Sequence, residues 1–277
     1  MACAIKNSGV GNGMVDFSDV IIDIVSEDKV ILHHGWTEMG QGVHTIAPQA
    51  LCEETGIDPK IVEVVVDTKV NIPTGMTTSS RGTVLLGNAI IDACKVLKAD
   101  LKTHSLKELA GRQYRGRWEC TWTAKPGKNP EPTPTHYSYG YAAQLVVLDD
   151  VGNIDTVYAA HDAGKIFNPI LFEGQIEGAV HMGLGYAISE NLPMENGRLL
   201  STKLKDCKIL RAHQTPKIEV IGVEVKDPVG PYGAKGVGEI GLVPTAAAVA
   251  NAFYTFDSNR RYSLPLEPVV KKTVNKA

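Results

Sequence analysis

Three short glycine-containing segments stand immediately before stretches of helical periodicity: Gly40-Gln41-Gly42, Ser79-Ser80-Arg81-Gly82 and Gly233-Ala234-Lys235-Gly236-Val237-Gly238-Glu239. The first N–H groups of a helix have no partner inside it, and glycine lets backbone approach a ligand closely. Each segment therefore suits an anionic, phosphate-bearing ligand. The same composition also makes an ordinary turn, and no standard nucleotide fingerprint is complete. Residues 236–241 spell GxGxxG, but no strand leads directly into them, and GxxxxGK[ST] is missing.

Glu239 ends the third segment and is followed by Ile240, Gly241, Leu242 and Val243. Apolar neighbours disfavour the ionised form of a carboxylate and so make a better general base near neutral pH, which is the expectation for this residue. The alternative for the same residue is a glutamate that interacts with a helix N-terminus. The histidines give no metal site by spacing: His33 and His34 are adjacent in a strand and point to opposite faces, and His44, His161 and His181 are isolated. No side-chain metal ligand is expected. There is no GxSxG nucleophile motif, and Cys94 falls in an apolar helical stripe, so it is expected in the core.

The elements that must position these residues follow from periodicity. Val20, Ile22 and Ile24 alternate before the polar turn Ser26-Glu27-Asp28-Lys29, and Val30, Ile31 and Leu32 follow, which makes a hairpin. Val43, Ala47, Ala50 and Leu51 predict a helix over 43–54 that stops at Gly56, with a strand over 61–67. A second helix is predicted over 83–101, from the stripe of Val84, Leu85, Ala89, Ile90, Ala93, Val96 and Leu97. Residues 123–135 carry four prolines and no apolar periodicity, and read as an exposed connection. Beyond it the pattern recurs: strands over 143–148 and 156–160 around a turn, the loop His161-Asp162-Ala163-Gly164, and a helix over 169–188. A strand over 218–225 and a helix over 244–253 complete the tail. The expected organisation is residues 1–122 as a first subdomain, 123–136 as a Pro-rich connection, and 137–277 as a second subdomain carrying the Glu239 loop. The fold class is α+β, with two related subdomains, each a mixed sheet with packed helices.

With 277 residues, 43% hydrophobic, 21% charged and a formal net charge of -3, the chain is neither disordered nor collagenous nor a coiled coil. The absence of a Lys/Arg run speaks against nucleic acid or an anionic membrane as partner. Five widely spaced cysteines without a CxxC pattern imply neither a disulfide framework nor an iron–sulfur site. The first residues show no secretory signal and no stretch reaches ~18 apolar residues, so the expected location is cytoplasmic. Strand-like residues in the first five positions give the expectation of a piece of a longer protein.

Five motifs in order carry a resemblance: G-W-T-E-M-G-Q-G-V-H-T at 35–45, T-T-S-S-R-G-T-V-L-L-G-N-A at 77–89, H-D-A-G-K-I-F-N-P at 161–169, G-Q-I-E-G-A-V-H-M-G-L-G at 174–185, and G-P-Y-G-A-K-G-V-G-E at 230–239. Together they resemble the xanthine dehydrogenase/aldehyde oxidoreductase family of molybdenum hydroxylases, specifically the second, C-terminal molybdopterin-binding domain of the large subunit, closest to the bacterial xanthine dehydrogenase type. The resemblance implies a molybdenum–molybdopterin cofactor, with or without a nucleotide tail. It would lie against Gly40, Gln41 and Gly42, against Ser79, Ser80, Arg81 and Gly82, and against Lys235, Gly236, Val237 and Gly238. It implies Glu239 as the general base in the oxidative hydroxylation of a C–H carbon in a purine, N-heterocycle or aldehyde, with water as oxygen source. Loop 6–13 falls where family members line the substrate channel, with no individual role carried over. Met182 stands where the family commonly has a glutamine that contacts the cofactor. The first molybdopterin domain, iron–sulfur clusters and FAD are expected on partner domains or subunits. The chain alone is then inactive and binds its N-terminal half, or itself as a homodimer, through an exposed apolar patch. The other reading is a non-catalytic pterin or nucleotide carrier or insertion module.

Overall fold

The computed structural model describes residues 1–128 and 131–269. Its ten strands fall into two four-stranded sheets and one small hairpin. The first sheet has the order β4-β3-β2-β5, from β2 (Asp16–Ser26), β3 (Lys29–His34), β4 (Val62–Val65) and β5 (Gln113–Cys120). The second has the order β1-β6-β7-β10, from β1 (Ala2–Ser8), β6 (Ser138–Leu148), β7 (Ile154–Asp162) and β10 (Lys217–Val223). Strands β8 (Met194–Glu195) and β9 (Arg198–Leu199) pair with each other alone.

The sheets share a plan. In each, an antiparallel hairpin (β2–β3, β6–β7) with a register shift near its turn is followed by a helix and a strand parallel to the hairpin's second member (β4, β10). A parallel neighbour requires a crossover, and the helices α1 (Val43–Thr55) and α3 (Pro169–Ile188) lie in those crossovers. The fourth strand lies antiparallel outside the hairpin's first member: β5 beside β2, and β1 beside β6.

This corrects the expected boundaries at one end. Residues 1–122 do not form one sheet, because Ala2–Ser8 pairs with Ser138–Leu148 in the second. Alternating side chains at the chain's start fit an edge strand, and the vacant edge beside β6 takes it. Of the Pro-rich connection 123–136, residues 129 and 130 lie outside the described residues. Strand β5 was not legible in the sequence because its outward residues, Arg115, Arg117 and Glu119, are charged. One inward position is Gly116, where an added Cβ would lie 2.1 Å from the Ala89 carbonyl oxygen.

Two cores hold the helices. Alternate residues Val20, Ile22, Ile24, Val30 and Leu32 face α2 (Gly82–Leu101), which brings Leu85, Leu86, Ala89, Ile90, Ala93, Cys94 and Leu97 into contact with them. The Cys94 thiol is core as expected, and burial pushes its pKa up to about 12. In the second unit Val146, Val157 and Ala159 pack against Ile176, Val180 and Leu184 of α3 and against Ala248, Val249 and Phe253 of α4 (Thr245–Asp257). Each buried Val, Leu, Ile or Phe side chain among them contributes about 1.5–3 kcal/mol by leaving water, and each alanine less. Phe167 and Val229, from the second half of the chain, pack on the first core and tie the units together. Among the described residues no helix is long and apolar enough to cross a membrane.

Candidate cofactor-binding site

A cleft of about 360 Å³ lies between the units. Its walls come from the start of α1 (Gln41, Val43, Ile46), the segment 77–83 that opens α2, the segment 163–168 after β7, the first turns of α3 (Leu171, Phe172, Gln175), and residues 234–239. All three glycine-containing segments thus reach one place, along with the His161-Asp162-Ala163-Gly164 loop. They are not equivalent there.

The first segment is already satisfied by its own chain. Glu38 accepts N–H bonds from Gly40 (2.9 Å), Gly42 (2.9 Å) and His44 (3.0 Å), so a carboxylate sits at the N-terminus of α1. Burial would raise the Glu38 carboxyl, but the donors from His44, Gly42 and Gly40 outweigh it and hold it below its ordinary value of 4.5. The Gln41 amide is engaged at both ends, donating to the Thr37 carbonyl (2.7 Å) and accepting from Met39 N–H (2.6 Å). The N–H groups of Gly40 and Gly42 are therefore not free, contrary to what the motif suggests. Gly42 keeps a packing role: at φ 83° it faces Leu171, whose Cδ1 would lie 2.6 Å from a Cβ.

The second and third segments are open. Ser79 and Ser80 are left-handed at φ 56° and 49°, a conformation that non-glycine residues rarely adopt. α2 then starts at Gly82 with no side-chain cap, which leaves its first N–H groups without a partner in the helix. Opposite, the N–H groups of Gly236, Val237 and Gly238 meet no protein acceptor among the described residues. Glycine at 236 is a steric requirement, since a Cβ there would lie 1.5 Å from the Ser80 carbonyl oxygen.

The two cations of these segments point away from a ligand role. Arg81 is buried, with Nη1 2.6 Å from Asp16 Oδ1, and also donates from Nε to the Met76 carbonyl (3.0 Å). Lys235 is buried 2.5 Å from Asp162 Oδ2, while Asp162 Oδ1 accepts the Gly164 N–H at 3.0 Å. Neither Asp16 nor Asp162 was visible as a partner in the sequence, because 65 and 73 residues separate the members of each pair.

Glu239 stands at the cleft rim, and the expected apolar enclosure is not there. Ile240 turns into the protein and is buried, whereas the Glu239 side chain is 46% exposed. Its Oε2 accepts from Ser80 Oγ (2.7 Å) and lies 3.1 Å from Lys6 Nζ. The Glu239 N–H donates back to Ser80 Oγ at 3.0 Å. It is not at the first turn of a helix either, since α4 begins at Thr245. Met182 is exposed on α3, away from the lining residues, and Gln175, one face-repeat earlier, lines the cleft and donates to the Gly238 carbonyl at 3.3 Å. No cluster of three potential metal-ligating side chains occurs among the described residues.

A family model described as the molybdopterin cofactor-binding domain matches residues 1–113 and 101–216. The chain belongs to that family. Subunit gamma of the 6-hydroxypseudooxynicotine dehydrogenase complex of Paenarthrobacter nicotinovorans is 30% identical over 268 residues, 83% of this chain and 34% of its own length. A xanthine dehydrogenase molybdenum-binding subunit of Escherichia coli is 27% identical, over 88% of this chain and 38% of its own. The aldehyde oxidoreductase of Desulfovibrio gigas superposes with a TM-score of 0.80 at 25% identity, over 96% of this chain and 31% of that one. This molybdopterin cofactor-binding domain thus spans about a third of the length of such relatives. Its cleft fits a phosphate-bearing organic cofactor: the unpartnered N–H groups of 236–238 and the uncapped start of α2 supply anion donors, and Ile46, Phe167, Leu171 and Phe172 supply an apolar wall.

Proposed function

We propose that this chain is the C-terminal molybdopterin-binding part of a xanthine dehydrogenase-type molybdenum hydroxylase, which oxidatively hydroxylates a C–H carbon of a purine, N-heterocycle or aldehyde with water as oxygen source. The observation that carries this reading is the convergence of the α2 N-terminus, the 236–238 loop and Glu239 on one cleft. When bound, the molybdenum–pterin group supplies the two-electron acceptor. The chain's own residues hold it by backbone N–H groups, exclude water with the Phe167–Leu171–Phe172 wall, and take up a proton at the Glu239 carboxylate.

Partners follow from the size difference. The relatives' remaining length would supply the N-terminal half of the cofactor site, with iron–sulfur and flavin subunits or domains to carry the electrons away. The surface that supports this is the outer face of the second sheet. There the strand register sets Cys3, Ala143, Ala160 and Ile221 in one row, Ile5 beside Tyr141, and Leu145 beside Tyr158. The aromatic and aliphatic side chains of these rows are exposed, and the face runs into the cofactor loop where Lys235 Nζ lies 5.7 Å from the Tyr141 ring centroid. We assign it to the N-terminal half, because a protein layer seated there would also abut the loop 234–239. A cytoplasmic location fits the five cysteines, all free.

The test is Glu239→Gln in the assembled enzyme, with molybdenum and pterin content measured beside turnover. Loss of turnover by a factor of about 10²–10⁴ at full cofactor content is expected for a general base. Full turnover in Glu239→Gln at full cofactor content would overturn the base assignment.

A further inference from the structure

We propose that Lys6 and Ser80 are positioning residues that pin Oε2 of Glu239 and leave Oε1 as the one atom free to accept a proton; this rests on the base reading of Glu239 above. The two carboxylate oxygens are treated differently by the fold. Oε2 receives both donors, the Ser80 hydroxyl at 2.7 Å and the Lys6 ammonium at 3.1 Å. Oε1 meets no donor among the described residues and lies on a half-exposed side chain at the cleft rim.

Ser80 is locked into its role by proton bookkeeping. Its oxygen accepts the Glu239 N–H at 3.0 Å, so its single proton is the one that goes to Oε2, closing a ring between the two residues. The left-handed turn at Ser79 and Ser80 aims the hydroxyl, and Gly236 packs against the Ser80 carbonyl where no side chain would fit. A strained conformation held from both sides at a reactive group is a recurrent feature of functional sites.

Lys6 comes from the opposite end of the chain. Strand β1 carries it opposite Gly140 of β6, its ammonium is tied to the Asn7 carbonyl at 2.8 Å, and just beyond the strand Gly9 N–H bonds the Ser79 carbonyl at 2.9 Å. The strand and the serine turn are thus stitched together next to the carboxylate. The cations lining the cleft are engaged elsewhere: Arg81 by Asp16, Lys165 by Glu224 and Lys235 by Asp162. Among the described residues Lys6 is the cation paired with Glu239. A carboxylate pinned on one oxygen presents the other in a fixed direction, and fixed direction is what a proton transfer needs.

Two measurements test this. In the full chain without cofactor, the ammonium 15N–1H cross-peak of Lys6 is expected to move when Glu239→Gln removes the carboxylate; an unmoved peak overturns the pairing. In the assembled enzyme, Lys6→Met is expected to lower kcat about tenfold with KM and molybdenum content unchanged, and Ser80→Ala to do the same. Lys6→Arg should restore kcat, and neither change should add to Glu239→Gln. A Lys6→Met enzyme with wild-type kcat, or one altered only in KM, overturns the proposal. If Glu239→Gln itself retains turnover the base reading fails first, and the cross-peak still decides whether Lys6 holds the carboxylate.

Discussion

The two sheets have the same strand plan, yet they turn opposite kinds of surface outward. On the first, the residues that point away from α1 and α2 include Asp19, Asp23, His33, Arg115, Arg117 and Glu119. Several are paired: Arg117 forms ion pairs with Asp19 (2.8 Å) and Glu119 (2.9 Å), and the His33 imidazole hydrogen-bonds Asp23 at 2.9 Å. On the second, the corresponding positions are Ile5, Tyr141, Leu145, Tyr158 and Ile221. The first sheet also closes with its own β5, whereas the second takes its fourth strand from the start of the chain, and Asn251 of α4 fastens that strand by donating to the Met1 carbonyl at 2.9 Å. One topology carries charged and hydrogen-bonded side chains outward in one copy, with Ile21 and His33 buried among them, and an exposed apolar row in the other, and the strand recruited from afar is the one that delivers Lys6.

Each unit also buries an ion pair beside the cleft, Arg81–Asp16 in the first and Lys235–Asp162 in the second, and these set the largest expected effect. Arg81 additionally bonds the Met76 carbonyl and lies 5.4 Å from the Trp36 ring centroid, while Asp16 organises the early loop by accepting from Val10 N–H (2.6 Å). Arg81→Met leaves a carboxylate buried without its cation and should destabilise the chain by about 3–5 kcal/mol in urea unfolding. Lys235→Met should cost less, since Lys235 makes fewer bonds. Equal costs, or a larger one for Lys235, would break the view that the first unit is the self-sufficient one.

A second pair of equivalents predicts acid behaviour. His34 near the end of β3 and His161 near the end of β7 are both buried, and burial pushes each down from 6.5 to about 4. Above pH 6.5 both are neutral, folded or unfolded. Below it the unfolded chain takes up protons that the folded chain refuses, so stability falls until the pH reaches about 4, by about 3 kcal/mol per histidine. The loss should begin well above the carboxylate range. His161→Gln should remove about half of the slope measured in urea unfolding between pH 6.5 and 4.5, and an unchanged slope would assign the acid sensitivity to the first unit alone.

Much of this was legible in the sequence, and the failures have a common cause. The hairpin at Ser26-Glu27-Asp28-Lys29, helix α3 and the parallel recurrence of the two units follow from local periodicity, which a sequence displays. The gathering of Ser80, Gly236 and Glu239 was legible only through motif order, since 159 residues separate Ser80 from Glu239. What was not legible is who pairs with whom. Arg81 and Lys235 read as anion ligands because their partners are distant carboxylates. Gly40-Gln41-Gly42 read as open because Glu38 was not recognised as an internal anion. Glu239 read as desolvated because Ile240 is apolar, although the chain turns there and sends the two side chains in opposite directions.

The contrast between the outer faces gives the smallest effect and the sharpest use of the comparison. Leu145 and Tyr158 sit opposite each other in the β6–β7 register, both exposed, so aspartate at both positions empties no core and costs the isolated fold only the repulsion of two facing like charges and their weak strand preference, about 1–2 kcal/mol. The same two charges would be desolvated under a docked N-terminal half, and association should weaken by about 10- to 100-fold, or ~1.4–2.7 kcal/mol, in a binding titration of the two halves. Arg115→Asp on the first sheet is the matched control and should leave association unchanged, because Arg115 is an exposed charge on the other sheet. If the paired aspartates instead dissolve a homodimer and leave binding of the N-terminal half intact, the apolar face belongs to a second copy of this chain. The continuity from Tyr141 to Lys235 would then link two cofactor loops across a dimer axis, rather than closing one site.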